Sequence, residues 1–296
     1  PDVADTIVFL GCQVTDLVIL NDLNVAERLC KKYNKEIYMG GCIAQRFDIK
    51  LPKYIKRLDV IRELYQDIDD FSLIHFEKPF WVTDFEESED DLKEGNLFRN
   101  FYPLQIGAGC NGNCKYCTIK HTRGDVVVLP PENQIEIFLK HDKVVLISDN
   151  PTASQIKGWS RIAIEHNKSF SIRNIEPQNL VRCKEELLEL ADKKLLKILH
   201  CPIQSFDDEL LEAMNRDAKS TKEALELILE LRNKGVITAT NIIIDYTHNG
   251  KFYKNLDKEL LDKYFDYYSW NPYFDGTFDL EKAKQRFKKY IIERDF

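Results

Sequence analysis

The chain has 296 residues, a hydrophobic share of 44% and a formal net charge of −7. That length holds one large or two modest domains with a real core; the negative charge argues against a broad nucleic-acid surface, and no run of about 18 apolar residues marks a membrane span. Its eight cysteines are clustered and unevenly spaced, which suits metal binding in a reducing, cytoplasmic compartment better than a disulfide framework.

Pro1 stands directly before an expected strand with no signal peptide, so upstream sequence is expected to be missing. Residues 6–10 form a short apolar run ending in Gly11-Cys12. Residues 21–33 carry Leu23, Ala26, Leu29 and Cys30 at helical spacing. Residues 36–39 form a second strand, ending in Gly40-Gly41-Cys42. Strand, helix and strand of this length imply a parallel pair with a crossover helix. Both Gly-Cys pairs then stand at the carboxyl edge, where open α/β sheets place ligands. A buried small residue is the bland reading of any cysteine. It is preferred for Cys30, while the glycine before Cys12 and Cys42 frees backbone for a ligand role. Residues 47–75 read as surface helix and a short strand. The acidic stretch 84–95 reads as a solvated linker. It divides an N-terminal domain, 1–84, from 99–296, with 85–98 between them.

The second part repeats strand and helix. Strands are expected near 103–109, 144–149, 169–175, 196–203, 238–245 and 266–270. Helices are expected at 132–141, 153–166, 183–193, 207–214 and 220–234. Serial βα units argue for a parallel barrel or partial barrel, with chemistry at the carboxyl ends of its strands. Immediately after the first strand stands Cys110-Asn111-Gly112-Asn113-Cys114-Lys115-Tyr116-Cys117, spaced C-x3-C-x2-C. Three loop thiolates this close can hold three irons of a 4Fe–4S cluster and leave the fourth iron without a protein ligand. The alternatives are a zinc knuckle or three unrelated cysteines. Zinc usually takes a second C-x2-C pair further on, and none follows.

This spacing, with the run from Gly109 to Ile119 and then Thr122-Arg123-Gly124, resembles the methylthiotransferase branch of the radical S-adenosylmethionine enzymes. The resemblance implies an α/β protein: an N-terminal flavodoxin-like domain plus a partial (β/α)6 barrel. It implies that the free iron chelates S-adenosylmethionine, whose reduction yields a 5′-deoxyadenosyl radical. It also implies an auxiliary 4Fe–4S cluster on three N-terminal cysteines. Residues 4–12 resemble the family's second cysteine strand and Gly40-Gly41-Cys42-Ile43-Ala44 its third. The first cysteine would lie upstream of Pro1.

Three strand ends carry further candidates. Ser148-Asp149-Asn150 reads as a turn and helix cap, yet the family places adenosylmethionine contacts there, which nominates Ser148 and Asp149. Arg173-Asn174-Ile175-Glu176-Pro177 resembles the family's Arg-x-Ser-Ile-Glu-Pro stretch, with Asn174 departing from the serine. An arginine at a buried strand end needs an anion; a carboxylate of adenosylmethionine would serve Arg173, and so would an ion pair with Glu176 or another acid. Pro202-Ile203-Gln204-Ser205, followed by a helix ending in Met214-Asn215-Arg216, resembles the family's Pro-x-Gln-Ser strand end and nominates Gln204 and Ser205. On physics alone this is a strand, a tight turn and a helix capped by Ser205. His200 and Cys201 read as satisfied core residues.

The fifth strand continues as Asp245-Tyr246-Thr247-His248-Asn249-Gly250, where the family has Gly-Phe-Pro-Gly-Glu; this is the clearest departure. The aromatic stretch 264–278 is expected to close the open side of the barrel, and the basic helix 280–292 to present an exposed face. No run of five short strands is read after it, so the RNA-binding β-barrel appendage of the resembled family is not expected in these residues. The resemblance implies sulfur or methylthio insertion into a C–H bond of a tRNA base, a protein or peptide residue, or a small molecule. A flavodoxin- or ferredoxin-type electron donor is implied as partner, and no membrane. Another radical reaction without sulfur insertion, or a non-catalytic iron–sulfur or zinc protein, are the rival readings.

Overall fold

The structure is a computed structural model that describes residues 7–11, 16–45, 49–58, 97–98, 101–244, 246–272, 281 and 285. Cys12, the acidic stretch 84–95 and nearly all of 273–296 lie outside the described residues. The chain divides into two compact units, Pro1–Thr83 with Pro272–Phe296, and Asp84–Asn271.

The first unit is built from β1 (Ile7–Gly11), α1 (Asp16–Tyr33), β2 (Ile37–Gly41) and β3 (Ile55–Arg57). The three strands lie side by side in chain order, all parallel. On α1, Ile19, Leu20, Leu23 and Ala26 are buried at helical spacing and form the stripe that faces the sheet. Cys30 packs partly buried against the same core, as the core reading expected. Gly11 stands opposite Gly41 in the register, so β1 and β2 end at one edge. A one-turn helix, Cys42–Gln45, follows at once. Arg57 ties down the chain beyond it, donating to the carbonyls of Ile43 (3.2 Å), Ala44 (2.6 Å) and Ile49 (2.8 Å).

The second unit opens with β4 (Tyr102–Gln105) and β5 (Gly107–Ala108), then α2 (Ile119–Arg123), β6 (Val127–Val128) and α3 (Ile135–Lys140). It continues through β7 (Val144–Ile147), α4 (Ala153–Glu165), β8 (Phe170–Ile172), α5 (Pro177–Arg182), α6 (Lys184–Asp192) and β9 (Leu196–His200). Next come α7 (Asp208–Ala213), α8 (Ala218–Asn233), β10 (Ile237–Ile244), β11 (Tyr246–His248), β12 (Lys251–Tyr253), α9 (Lys258–Tyr264) and β13 (Tyr267–Pro272). Six strands form one sheet in the order β4-β7-β8-β9-β10-β13, and the four pairings from β4 to β10 are parallel. The order follows the chain without reversal. Right-handed crossovers then put the connecting helices on a single face, and the sheet curls as a partial barrel. Every expected strand has its counterpart here. Leu104, Leu146, Phe170 and Ile172 from the strands pack against Phe138 and Trp159 from the helices in a continuous core. The Phe138 and Trp159 rings lie 5.1 Å apart.

Four local features differ from expectation. The first strand stops at Gln105; the chain then pairs antiparallel with β6, Gly107 opposite Val128, so the cysteine loop leaves and returns through one clasp. The third strand ends at Ile172, because Asn174 takes a positive φ of 66° and turns the chain. The helix α7 is capped by Asp207, whose side chain accepts from Leu210 N at 2.9 Å, whereas Ser205 accepts from Asp207 N. Ser205 therefore braces the turn before the cap. After β10 the chain makes an antiparallel hairpin, β11 with β12, turning at Asn249 (φ 48°) and Gly250 (φ 77°). Asn-Gly favours such two-residue turns. Of the aromatic stretch, Phe265 is buried, Tyr264 and Tyr268 pack on the core, and Trp270 is exposed.

Trp159 is fully buried at the centre of this core. Trp159→Ala is expected to cost about 3–5 kcal/mol of stability, read as a lowered denaturant midpoint for the second unit's transition.

Candidate metal centre

The loop that carries Cys110, Cys114 and Cys117 has little regular structure of its own and is held from outside. At its first end Gly109 has φ 80°, and a Cβ there would stand 2.2 Å from the Asp125 carbonyl oxygen, so only glycine fits. Gly109 N donates to Asp149 Oδ2 at 2.8 Å, and Asp149 is also ion-paired with Arg123 at 3.1 Å. Cys110 N donates to the Gly124 carbonyl at 3.2 Å. At the far end Lys115 N donates to the Met214 carbonyl at 3.0 Å, and Asn215 Nδ2 to the Asn113 carbonyl at 2.7 Å. The residues after α7 thus clamp the loop across about a hundred positions of sequence.

N–H groups are aimed at all three sulfurs, that of Ile119 at Cys117. Cys110 Sγ accepts from Gly112 N at 3.2 Å and from Asn150 Nδ2 at 3.7 Å. Cys114 Sγ stands 3.7 Å from Arg216 Nη1 and 3.7 Å from Glu176 Oε1. Burial pushes all three thiols up, Cys117 to about 11. A coordinated metal deprotonates its thiols outright, so loading this loop releases protons.

Beside Cys114 lies a buried ionic node. The Arg216 side chain is only 6% exposed. It reaches Glu176 Oε1 at 3.4 Å, Tyr116 Oη at 3.0 Å and the Pro202 carbonyl at 2.8 Å. Burial works against its charge, but Tyr116, Glu176 and Cys114 outweigh that and its pKa rises. Glu176 is held on its other oxygen by Asn150 Nδ2 at 3.1 Å. A polar cavity of about 430 Å³ opens here, bordered by Asn111, Asn113, Glu176, Asn215 and Arg216.

The strand-end residues fall into two groups. Glu176 stands within reach of the cysteines. Asp149 reaches the loop through its carboxylate, which accepts from Gly109 N, and Ser205 is buried, donating to Asn255 Oδ1 at 2.9 Å. Gln204 has φ 67° and joins β10 through its backbone, its N to the Asn241 carbonyl and its carbonyl to Ile243 N. Ser148 is buried with no hydrogen-bond partner for its hydroxyl among the described residues. Arg173 is reached by solvent, yet enough protein surrounds it that its pKa moves down. Its guanidinium lies 5.9 Å from the Phe98 ring centre, and among the described residues no carboxylate pairs with it. The expected alternative, an ion pair with Glu176, is not formed; Glu176 pairs with Arg216. His200 and Cys201 are both buried. His200 Nδ1 accepts from Asn174 N at 3.2 Å and Nε2 donates to Asn241 Oδ1 at 2.7 Å, with burial lowering its pKa to about 4. It is a neutral, satisfied residue. Cys42 opens the turn after β2, and Cys12 lies outside the described residues. Reading the sequence did not single out Asn150 or Arg216 as site residues; the Met214-Asn215-Arg216 run was the available signal for the latter.

Among the described residues no three His, Cys, Asp or Glu side chains converge on one metal ion. A cubane asks for something else, one thiolate on each of several irons. Three cysteines on one pinned loop, with N–H donors to their sulfurs, fit that demand.

Residues 104–257 match the family described as the Radical SAM superfamily. A probable threonylcarbamoyladenosine tRNA methylthiotransferase of Methanocaldococcus jannaschii is 26% identical over 248 residues, 73% of this chain and 54% of that protein. A ribosomal protein uS12 methylthiotransferase, RimO, of Trichlorobacter lovleyi is 27% identical over 256 residues, 76% of this chain and 55% of that protein. The chain spans about half the length of these curated relatives. Among solved structures, the methyltransferase TsrM of Kitasatospora setae aligns over 80% of this chain and 56% of that one, with a TM-score of 0.48 and 12% identity. No helix among the described residues is long and apolar enough to cross a membrane.

Gly109→Ala forces backbone strain of about 1–3 kcal/mol and a collision with Asp125. Iron retained after anaerobic reconstitution is expected to fall several-fold while the far-ultraviolet circular dichroism stays unchanged.

Proposed function

The chain belongs to the radical SAM superfamily, whose members hold a 4Fe–4S cluster and S-adenosylmethionine, and on that premise we propose that it inserts sulfur or a methylthio group into an unactivated C–H bond. The observation that carries the first half of this reading is the pinned loop of Cys110, Cys114 and Cys117. When bound, the cluster supplies the electron for cleavage of adenosylmethionine, and the protein's own residues do the rest. Cys110, Cys114 and Cys117 each hold one iron. Arg173, a cation with no carboxylate among the described residues, takes the carboxylate of adenosylmethionine. Glu176, fixed by Asn150 and Arg216, offers an acceptor for the cofactor's amino group. Ser148 and Gln204 border the same strand ends. Asp149 and Ser205 act by holding the loop and the turn. The curved sheet keeps water from the reacting centre.

The sulfur-inserting half rests on the methylthiotransferase relatives and on the first unit. There, Cys12 and Cys42 follow glycines that stand opposite each other in parallel register. With a third cysteine they would hold an auxiliary cluster as sulfur source. The names of the relatives point to a tRNA base or a protein residue as substrate, and a peptide or small molecule fits the chain's negative charge. A flavodoxin- or ferredoxin-type protein supplies the electron. A second reading, a radical reaction without sulfur insertion, is favoured by one observation: the hairpin Tyr246–His248 and Lys251–Tyr253 stands where the resembled family has a glycine-rich turn, so the barrel mouth differs there.

Iron and sulfide analysis of the anaerobically reconstituted protein separates the two. About eight irons per chain, falling to about four in Cys12→Ala/Cys42→Ala, is the result expected for sulfur insertion. About four irons in both proteins would remove the sulfur donor and leave the second reading.

A further inference from the structure

The loop, the strand end at Glu176 and the residues after α7 meet at one buried cation. Arg216 is enclosed, and the one acid it touches among the described residues, Glu176, borders the polar cavity. Its partners are the Cys114 sulfur at 3.7 Å, the Glu176 carboxylate at 3.4 Å, the Tyr116 hydroxyl at 3.0 Å and the Pro202 carbonyl at 2.8 Å. Tyr116 and Pro202 account for its orientation. They do not account for a full charge being placed against a cysteine. A buried guanidinium needs anions. Here it has two on one side, Glu176 and Cys114 in its metal-ligating thiolate form.

We propose that Arg216 and Glu176 form an opposed pair of charges that sets the reduction potential of the cluster held by Cys110, Cys114 and Cys117. The proposal rests on the reading of that loop as the cluster site. One-electron reduction adds negative charge to the cluster. A cation donating to a ligating sulfur stabilises the reduced state and raises the potential; a carboxylate at the same distance lowers it. Cys114 lies 3.7 Å from both groups, so the two act on one ligand with opposite sign. Asn150 holds Glu176 and donates to Cys110 Sγ at 3.7 Å, which couples a second ligand to the same network. Arg216 is thus a positioning residue that acts through Cys114.

The test is an anaerobic redox titration of the reconstituted full chain, followed by the electron paramagnetic resonance of the reduced cluster, without adenosylmethionine. Arg216→Gln is expected to lower the midpoint by a tenfold change in the oxidised-to-reduced ratio, about 59 mV for one electron. Glu176→Gln is expected to raise it, and the double variant to return towards wild type. Iron content is measured on every sample. Full clusters with unmoved midpoints, or with both single variants shifting the same way, would overturn the proposal. If Arg216→Gln retains no cluster, Glu176→Gln decides by itself: an upward shift supports the proposal and an unmoved midpoint overturns it. A wild-type protein that takes up no cluster would instead overturn the reading of the loop itself, and the proposal with it.

Discussion

A loop that presents three thiolates to one cluster must fix their separation without a disulfide and with almost no secondary structure of its own. The rest of the second unit meets that demand from two directions. Asp149, at the end of β7, holds the loop where it leaves the sheet. Met214, Asn215 and Arg216, after α7, hold it where it turns towards Cys117. The antiparallel clasp of Gly107 and Val128 closes its base. Each restraint comes from a different βα unit, so the loop's geometry depends on the sheet being assembled in order.

The partial barrel supplies that order cheaply. Apolar side chains on the outer face of β4, β7 and β8 are buried against α3 and α4. Residues at the strand ends are then free to be polar. Arg173, Asn174, His200, Asn241 and Ser269 stand close together there, linked through His200 Nδ1, His200 Nε2 and the Asn241 side chain. This layer is built from neutral hydrogen bonds, with Arg173 as its charge among the described residues.

Much of this was legible in the sequence, for identifiable reasons. The strands of the second unit announce themselves because each is a short apolar run followed by a turn and a helix, and their chain order fixes the sheet order once every crossover is right-handed. The cysteine spacing is local, so it survives without any knowledge of packing. Arg216 was not legible as a site residue, because it reaches Cys114 across 102 positions through a fold that no local pattern encodes. Asn150 was hidden for a different reason: Ser148-Asp149-Asn150 is also what an ordinary helix cap looks like. Gln204 and Ser205 were read as pocket residues. Their placement shows backbone pairing with β10 and a bond to Asn255, which side-chain chemistry alone does not reveal. The hairpin after β10 was encoded locally, by the Asn249-Gly250 turn pair between its two short strands.

Cys110, Cys114 and Cys117 would hold a cluster with one iron left open to adenosylmethionine. This is tested by the electron paramagnetic resonance of the reduced, reconstituted protein with and without adenosylmethionine, with 5′-deoxyadenosine assayed in the same samples. The expected result is a cubane signal that changes on addition of adenosylmethionine, and 5′-deoxyadenosine formed only when all three cysteines are intact. A signal indifferent to adenosylmethionine with no 5′-deoxyadenosine formed would contradict it.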